Sequence, residues 1–170
     1  MTTTSLIEFK DGVADGEYEF GNSWGGAARA WDSLFKKYIP KKFKYDNWML
    51  AAEDKRLWTL GKDPRLSDAE RSVYYFFCDN ALVKKEDFPR MAQALREFIE
   101  NHPVDGKVDH LESFAKVFDQ ATGDAIGVHT TSICENPWIE WDEEGDGEIP
   151  YDIAKGEKHW FLFETEGDEA

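Results

Sequence analysis

Residues 5–20 read SLIEFKDGVADGEYEF, which is the pattern of a β-hairpin. Apolar and charged residues alternate on both sides of Asp11-Gly12, a pair typical of the tight turn between antiparallel strands. A second Asp-Gly pair at residues 15–16 predicts a bulge or a longer loop in the return strand. The chain is therefore predicted to begin with two paired strands.

The middle of the chain has the apolar period of helices instead. The clearest helix start is Ser67-Asp68-Ala69-Glu70, which matches a capping box and predicts a helix that runs to about Leu82 or Val83. Asp87 is a candidate N-cap of a later helix with Pro89 in its first turn. The other predicted helices cover residues 24–39, 87–100 and 109–123, and Gly123 is the expected C-terminal residue of the last one. Residues 45–60 are predicted to form a short helix or two turns.

After Gly123 the pattern returns to strands. Alternation over residues 125–133 predicts one strand, and the apolar run at residues 158–164 predicts a last, largely buried strand. Strands at both ends and helices between them predict an α+β fold, with a small antiparallel sheet of the N-terminal hairpin and C-terminal strands packed against four or five helices. The 170 residues suit a single domain over residues 1–170.

Acidic side chains are concentrated near the C-terminus. The chain has 35 Asp and Glu against 20 Lys and Arg, a net charge of −15. Residues 135–170 carry 13 of these acids and two of these bases, and therefore −11 of that charge. They comprise an acidic loop at 135–157 and a short acidic tail at 165–170. The opposite bias occurs at residues 36–44, where five of nine residues are Lys.

The net charge disfavours several classes of function. Direct nucleic-acid binding needs a basic surface, and an acidic protein is repelled by anionic lipid. The N-terminus does not resemble a signal peptide, and no stretch approaches the ~20 apolar residues of a membrane span. Cys78 and Cys134 lie in unrelated contexts, so we expect reduced thiols in a cytoplasmic protein without membrane attachment.

The acidic loop contains the candidate binding residues. Two tryptophans lie beside its carboxylates, and aromatic residues in such places often anchor protein interfaces. The predicted partner-binding residues are Trp138, Glu140, Trp141, Asp142, Glu143, Glu144, Asp146 and Glu148. Two other interpretations remain open: a self-repelling flexible loop whose tryptophans belong to the core, and a calcium loop of the EF-hand type. The latter lacks the Glu required at its twelfth position, where this chain has Ile153.

The chain has no recognisable catalytic motif. Its four histidines lack metal-ligand spacing, and Ser132 is not in a Gly-x-Ser-x-Gly setting. No catalytic residue, cofactor or metal ligand is therefore predicted, and the oligomeric state stays open.

The first hypothesis is a non-enzymatic acidic inhibitor that docks on a basic surface of a nucleic-acid-handling protein. It would be a DNA mimic of the anti-restriction or anti-CRISPR type, or a nuclease immunity protein. One alternative is a divalent-metal-dependent hydrolase that uses the carboxylates of residues 135–152, since Mg²⁺, Mn²⁺ and Ca²⁺ prefer oxygen ligands. Another alternative is a structural or assembly protein.

Overall fold

The architecture was analysed in a computed structural model of the chain. It describes residues 2–22, 33–34, 36–39, 56, 59–78, 80–103, 110–130, 136–142, 147–156 and 161–163. The strands and α-helices are β1 (Thr2–Lys10), β2 (Val13–Asn22), α1 (Asp68–Cys78), β3 (Ala81–Lys84), α2 (Phe88–Asn101), α3 (His110–Gln120), β4 (Ala125–Thr130), β5 (Ile139–Trp141) and β6 (Glu148–Pro150). Short 3₁₀ turns occur at Leu60–Lys62 and Lys85–Asp87.

The main sheet confirms the predicted α+β fold. Its strand order is β2-β1-β4-β3, and every neighbouring pair is antiparallel. The central strand β1 pairs with β2 along its whole length, and on its other side it pairs with β4, more than a hundred residues away. Leu6 lies opposite both Tyr18 and Val128, so three strands contribute to one row of the sheet.

The turn between β1 and β2 has the predicted geometry. Asp11 and Gly12 have φ angles of 51° and 77°, the two positive values that a type I′ hairpin turn needs. The pairing of β1 with β2 shifts between Glu8 and Phe9 and leaves Asp15 without a partner on β1. The second Asp-Gly pair therefore forms the predicted bulge.

Both faces of the sheet are covered, by different parts of the chain. One face packs against the helices, and its contributors from the strands include Leu6, Ala81, Val83, Ile126 and Val128. The other face packs against Trp138 and Tyr151 of the acidic C-terminal region. The strand residues on that second face are Ile7, Phe9, Leu82 and Ala125. Strand side chains alternate between faces, so each strand supplies both layers.

The capping box at the start of α1 is confirmed. The Ser67 amide donates to Glu70 Oε2 at 3.0 Å, and the Glu70 amide donates to Ser67 Oγ at 3.2 Å. The same carboxylate also pairs with Lys37 Nζ at 2.7 Å and accepts from the Tyr38 hydroxyl at 2.5 Å. One lysine of the basic stretch thus contributes to the fold.

Ser67→Ala is expected to lower the free energy of unfolding by about 1 kcal/mol, because it removes the cap acceptor of α1. Urea denaturation is the measurement. Ser113→Ala, a half-buried serine inside α3, is the control and should change stability by about 0.5 kcal/mol or less. Equal effects of the two substitutions would show that the cap contributes nothing specific.

Two predicted helix ends are wrong. The first helix ends at Cys78 instead of continuing to Leu82 or Val83, because residues 81–84 pair with β4 as an edge strand. The helix α3 ends at Gln120, three residues before Gly123. Gly123 instead approaches β1 so closely that an added Cβ would overlap the Phe9 carbonyl oxygen.

The helix α2 begins near its predicted position. Pro89 lies in its first turn, as expected, and Asp87 occupies the N-cap position. The Asp87 side chain makes no capping hydrogen bond, so its predicted role as a cap is wrong. Met91, Leu95 and Phe98 lie on the buried face of α2, each 1% exposed or less.

The predicted last strand is wrong over the residues that are described. Phe161 makes only an isolated parallel bridge with Leu82, and residues 162–163 turn away. The Leu162 amide donates to the Leu82 carbonyl oxygen at 2.9 Å, and its side chain lies in the helix-side core. A single bridge, not a paired strand, therefore holds this segment against β3.

Several predictions fall largely outside the described residues. In the segment predicted as a helix at 24–39, residues 33–34 and 36–38 are helical and most others are not described. Nearly all of the segment 45–60, and residue 109 at the predicted start of the last helix, are also outside the described residues. Across the part of the chain that is described, none of the helices has the length and apolar character needed to cross a membrane.

Candidate functional site

The acidic region folds as a hairpin where the sequence predicted a loop. Ile139 pairs with Pro150, and Trp141 pairs with Glu148, so β5 and β6 form a short antiparallel ribbon. The Asp142 amide donates to the Gly147 carbonyl oxygen at 3.0 Å at the end of the ribbon. We call residues 136–156 the acidic hairpin. Its tip, with the predicted binding residues Glu143, Glu144 and Asp146, lies outside the described residues.

Trp138 anchors the base of the acidic hairpin in the protein. Its side chain is 2% exposed, and its indole Nε1 donates to the Val128 carbonyl oxygen at 3.2 Å. The ring meets Phe9 and Tyr151 edge to face, at centroid distances of 5.8 and 5.7 Å. A large aromatic ring with its polar atom satisfied stabilises a core strongly. The core interpretation therefore holds for Trp138, and we omit it from the candidate surface.

A glycine in β4 makes room for this ring. A Cβ added to Gly127 would lie 2.7 Å from both Cε2 and Nε1 of Trp138. Carbon atoms in contact are usually about 3.5–4.0 Å apart. Only a glycine at this position lets the indole lie directly on the backbone of the sheet.

The hairpin base is also joined to the first turn of the chain. The Ala14 amide donates to the Tyr151 carbonyl oxygen at 3.0 Å, and the Ile153 amide donates to the Gly12 carbonyl oxygen at 2.8 Å. These two bonds make an antiparallel bridge between Val13 and residue 152. The acidic hairpin is thus attached both to the face of the sheet and to its β2 edge.

The strands of the acidic hairpin expose apolar and acidic side chains together. Trp141 is 63% exposed and Ile149 is 44% exposed, and the carboxylates of Glu140 and Glu148 are exposed as well. Trp141 and its cross-strand partner Glu148 share one face of the ribbon, and Glu140 and Ile149 share the other. Each face therefore offers one large apolar group beside one carboxylate.

One carboxylate of the region has a structural role. Asp152 Oδ1 accepts from the Ala154 amide at 2.9 Å, and Asp152 Oδ2 pairs with Lys155 Nζ at 2.8 Å. The bond from Lys155, followed by that from Ala154, holds the pKa of Asp152 below its ordinary value. Asp152 therefore stabilises the turn after β6.

The proposed metal ligands are only partly described. Among the described residues, no three His, Cys, Asp or Glu side chains lie together in a way that could hold a metal ion. Of the carboxylates proposed as ligands, Glu140 and Asp142 are described, whereas Glu135 and Asp146 are outside those residues.

The strand β2 adds carboxylates that the sequence analysis did not assign to the site. Asp15, Glu17 and Glu19 are exposed, and the bridge at residue 152 brings the start of this strand beside the acidic hairpin. Asp15 is paired with Lys10 Nζ at 2.6 Å. The alternation of Glu17 and Glu19 with aromatic residues was visible in the sequence. The proximity of β2 to residues 150–153 was not visible there, because it depends on a contact between residues far apart in the chain.

His129 is a core residue on the face of the sheet away from the helices. It is 3% exposed, and its position opposite Ser5 in the sheet register places it in the interior strand β4. Burial lowers the pKa of its imidazole, and the nearby Glu17 carboxylate opposes this effect only in part. Its burial assigns His129 to the packed interior of the sheet.

Comparisons of the chain with protein-family models, with curated proteins and with solved structures each found no match.

Proposed function

We propose that this chain is a non-enzymatic binding protein whose acidic hairpin docks on a basic surface of a nucleic-acid-handling protein and inhibits it. The observation that carries the proposal is Trp141, which is 63% exposed between two acidic residues on an anchored hairpin. Burial of such an exposed apolar ring at an interface contributes about 25 cal/mol of favourable free energy per Å² of apolar surface.

The anchoring of the hairpin supports this role. Trp138 fixes its base against β4, and main-chain bonds join Tyr151 and Ile153 to the first turn. A binding element that is held before association loses less conformational entropy on binding. Trp141 is thus presented from a rigid base instead of from a free loop.

The negative charge of the C-terminal region supports a basic partner. Residues 135–170 carry a net charge of −11, and β2 adds exposed carboxylates beside the hairpin base. Complementary charge speeds association and selects the partner, whereas buried aromatic rings supply affinity. A basic surface is the complement of this combination, and nucleic-acid-handling proteins have such surfaces.

Charge reversal on the strands of the acidic hairpin tests the electrostatic part. The partner is captured from a lysate of the source cells, purified, and titrated at low and at high salt. Glu140→Lys with Glu148→Lys is expected to weaken the partner's Kd at least about tenfold at low salt and to flatten its salt dependence. Glu97→Lys with Glu100→Lys changes the net charge equally on exposed positions of α2 and is the control. Equal effects of the two pairs would contradict a localised docking surface.

Removal of the exposed ring tests the apolar part. Trp141→Ala is expected to weaken the same Kd by about 30-fold, the effect of a typical interface hot spot. Its free energy of unfolding should change by about 0.5 kcal/mol or less, because the ring is exposed. Trp141→Phe keeps an aromatic ring and is expected to retain most of the affinity. Unchanged affinity in Trp141→Ala would exclude the ring from the interface.

Competition with duplex DNA tests the inhibitory role. If the carboxylates occupy the phosphate-binding surface of the partner, duplex DNA and this chain exclude each other, and added DNA releases the chain. A partner that binds duplex DNA and this chain at the same time would contradict DNA mimicry. The chain would then dock on the partner outside its nucleic-acid site.

A further inference from the structure

We infer that the outer edge of β2 binds an extended basic segment of the partner as an additional antiparallel strand. This inference rests on the proposed function, and it specifies a second contact, separate from Trp141, and the chemistry of the segment that makes it.

Among the described residues, the outer edge of β2 has no strand partner over most of its length. The strand order places β2 at the end of the sheet, with β1 on its inner side. Beyond the bridge at Val13, no described residue pairs with its outer side. Residues 16–21 of β2 therefore have an open edge in the part of the chain that is described.

The register shows which backbone groups point outward. A two-residue turn makes its flanking residues a hydrogen-bonded pair, and hydrogen-bonded pairs then alternate along the ladder. From Lys10–Val13, and across the bulge, this assigns the inward bonds to Gly16, Tyr18 and Phe20. The N–H and C=O groups of the residues between them point away from β1, toward the outer edge of the sheet. These residues are Glu17, Glu19 and Gly21.

The same edge already makes an isolated backbone bridge inside this protein. The Ala14 amide donates to the Tyr151 carbonyl oxygen, and the Ile153 amide donates to the Gly12 carbonyl oxygen. This antiparallel pairing stops where Asp15 bulges. An added strand would continue along the same edge from that point, and addition to an open edge is an established mode of peptide recognition.

The charges select a basic occupant. Glu17 and Glu19 are both exposed and lie on the same face, two residues apart. A strand with Lys or Arg at every second position would place a cation opposite each carboxylate, an arrangement that stabilises cross-strand pairs. Acidic residues on an edge also disfavour neutral or acidic strands. A second copy of β2 would place carboxylates against carboxylates, so a basic segment is the better complement.

A fluorescent decapeptide of alternating Lys and Thr tests the inference with the intact protein. Binding is followed by anisotropy at low salt. Glu19→Pro removes one outward N–H, and proline is tolerated at an edge where that group faces solvent. Glu19→Gln removes the same charge but keeps the N–H. Peptide binding is expected to weaken about threefold in Glu19→Gln and at least about tenfold in Glu19→Pro, because only proline also removes a main-chain bond.

A second pair of variants leaves the charge unchanged. Gly21→Pro removes an outward N–H, and Gly21→Ala is its control, since a Cβ at Gly21 meets no atom within 4 Å. Gly21→Pro alone is expected to weaken peptide binding. Circular dichroism of each variant identifies any that fail to fold, and either pair suffices for the comparison.

Three results would overturn the inference. The first is that the peptide does not bind. The second is that a proline variant and its matched control weaken peptide binding equally. The third is that sedimentation shows a dimer of this protein that Glu19→Pro dissociates. If any of these occurs while the partner is still captured through Trp141, only the edge inference fails. If no basic partner is captured at all, the proposed function fails separately.

Discussion

Gly127→Ala is expected to destabilise the protein by about 2 kcal/mol, although it adds only one methyl group. The added Cβ would lie 2.7 Å from two atoms of the Trp138 indole, and that ring is too rigid and too enclosed to move without cost. Trp138→Ala is expected to cost more, about 3–5 kcal/mol, because it leaves a cavity between the sheet and Tyr151. Urea denaturation gives both values.

Matched substitutions make this prediction specific. Gly16→Ala, in β2 opposite Glu8 of β1, adds a Cβ that meets no atom within 4 Å. It should therefore change the free energy of unfolding little. Trp141→Ala removes an equally large ring from the same hairpin, but an exposed one. If Gly16→Ala costs as much as Gly127→Ala, or Trp141→Ala as much as Trp138→Ala, the packing of the hairpin on β4 is wrong.

The double variant tests the contact itself. Trp138→Phe has a smaller ring, so Gly127→Ala should cost less in that background than in the parent protein. Residues in contact couple by about 0.5–3 kcal/mol in such cycles. Purely additive effects would show that the two residues do not touch.

Glu8→Ala is expected to lower the free energy of unfolding by about 3 kcal/mol, because it leaves the buried Gly123 amide and the partly buried Thr122 amide without their acceptor. Glu8 is 7% exposed, and its Oε1 accepts from the amides of Thr122 and Gly123 at 2.9 and 2.6 Å. Its Oε2 accepts from the Tyr18 hydroxyl at 3.1 Å. One carboxylate thus joins β1 to β2 and to the connection between α3 and β4.

The contribution of Glu8 should depend on pH. Burial acts to raise the pKa of Glu8, but the hydrogen bonds from Gly123, Thr122 and Tyr18 outweigh it, so the pKa lies below its ordinary value. A depressed pKa stabilises the folded state above the unfolded pKa of about 4.5, and this stability is lost as the pH falls through the folded pKa.

Glu8→Gln provides the readout for this pH dependence. It removes the ionisable group while keeping the shape of the side chain. The stability difference between the parent and Glu8→Gln should therefore be full at pH 7 and shrink below about pH 4.5. Glu19→Gln, at an exposed carboxylate of the same hairpin, is the control for the loss of one negative charge. A difference that stays constant from pH 7 to pH 3 would contradict the bonding assigned to Glu8.

Local signals in the sequence predicted much of the fold. Three features are decided by residues within four positions of one another: the positive φ values at Asp11 and Gly12, the Ser67–Glu70 cap and the inner face of α2. The predicted α+β class follows from the same signals, because the strand and helix periods appear in separate parts of the chain.

The candidate site was predicted less completely. The sequence placed both tryptophans beside the acids but could not tell which one was exposed. Trp138 is buried because Gly127 leaves room for its ring on β4, whereas Trp141, three residues further along the acidic hairpin, is 63% exposed. The carboxylates of β2 join the region only through the bridge between Val13 and residue 152.

Local sequence thus specifies the hairpin turn, the helix cap, the apolar faces of the helices and the acidic character of the C-terminal region. Long-range packing sets three other features: Ala81–Lys84 is a strand, Trp138 and Tyr151 of the acidic region pack on one face of the sheet, and Glu8 binds two distant amides. The physical reason is the range of the interactions. Turns and caps are satisfied by near neighbours, whereas strand pairing and burial depend on partners as distant as Val13 and residue 152, about 140 residues apart.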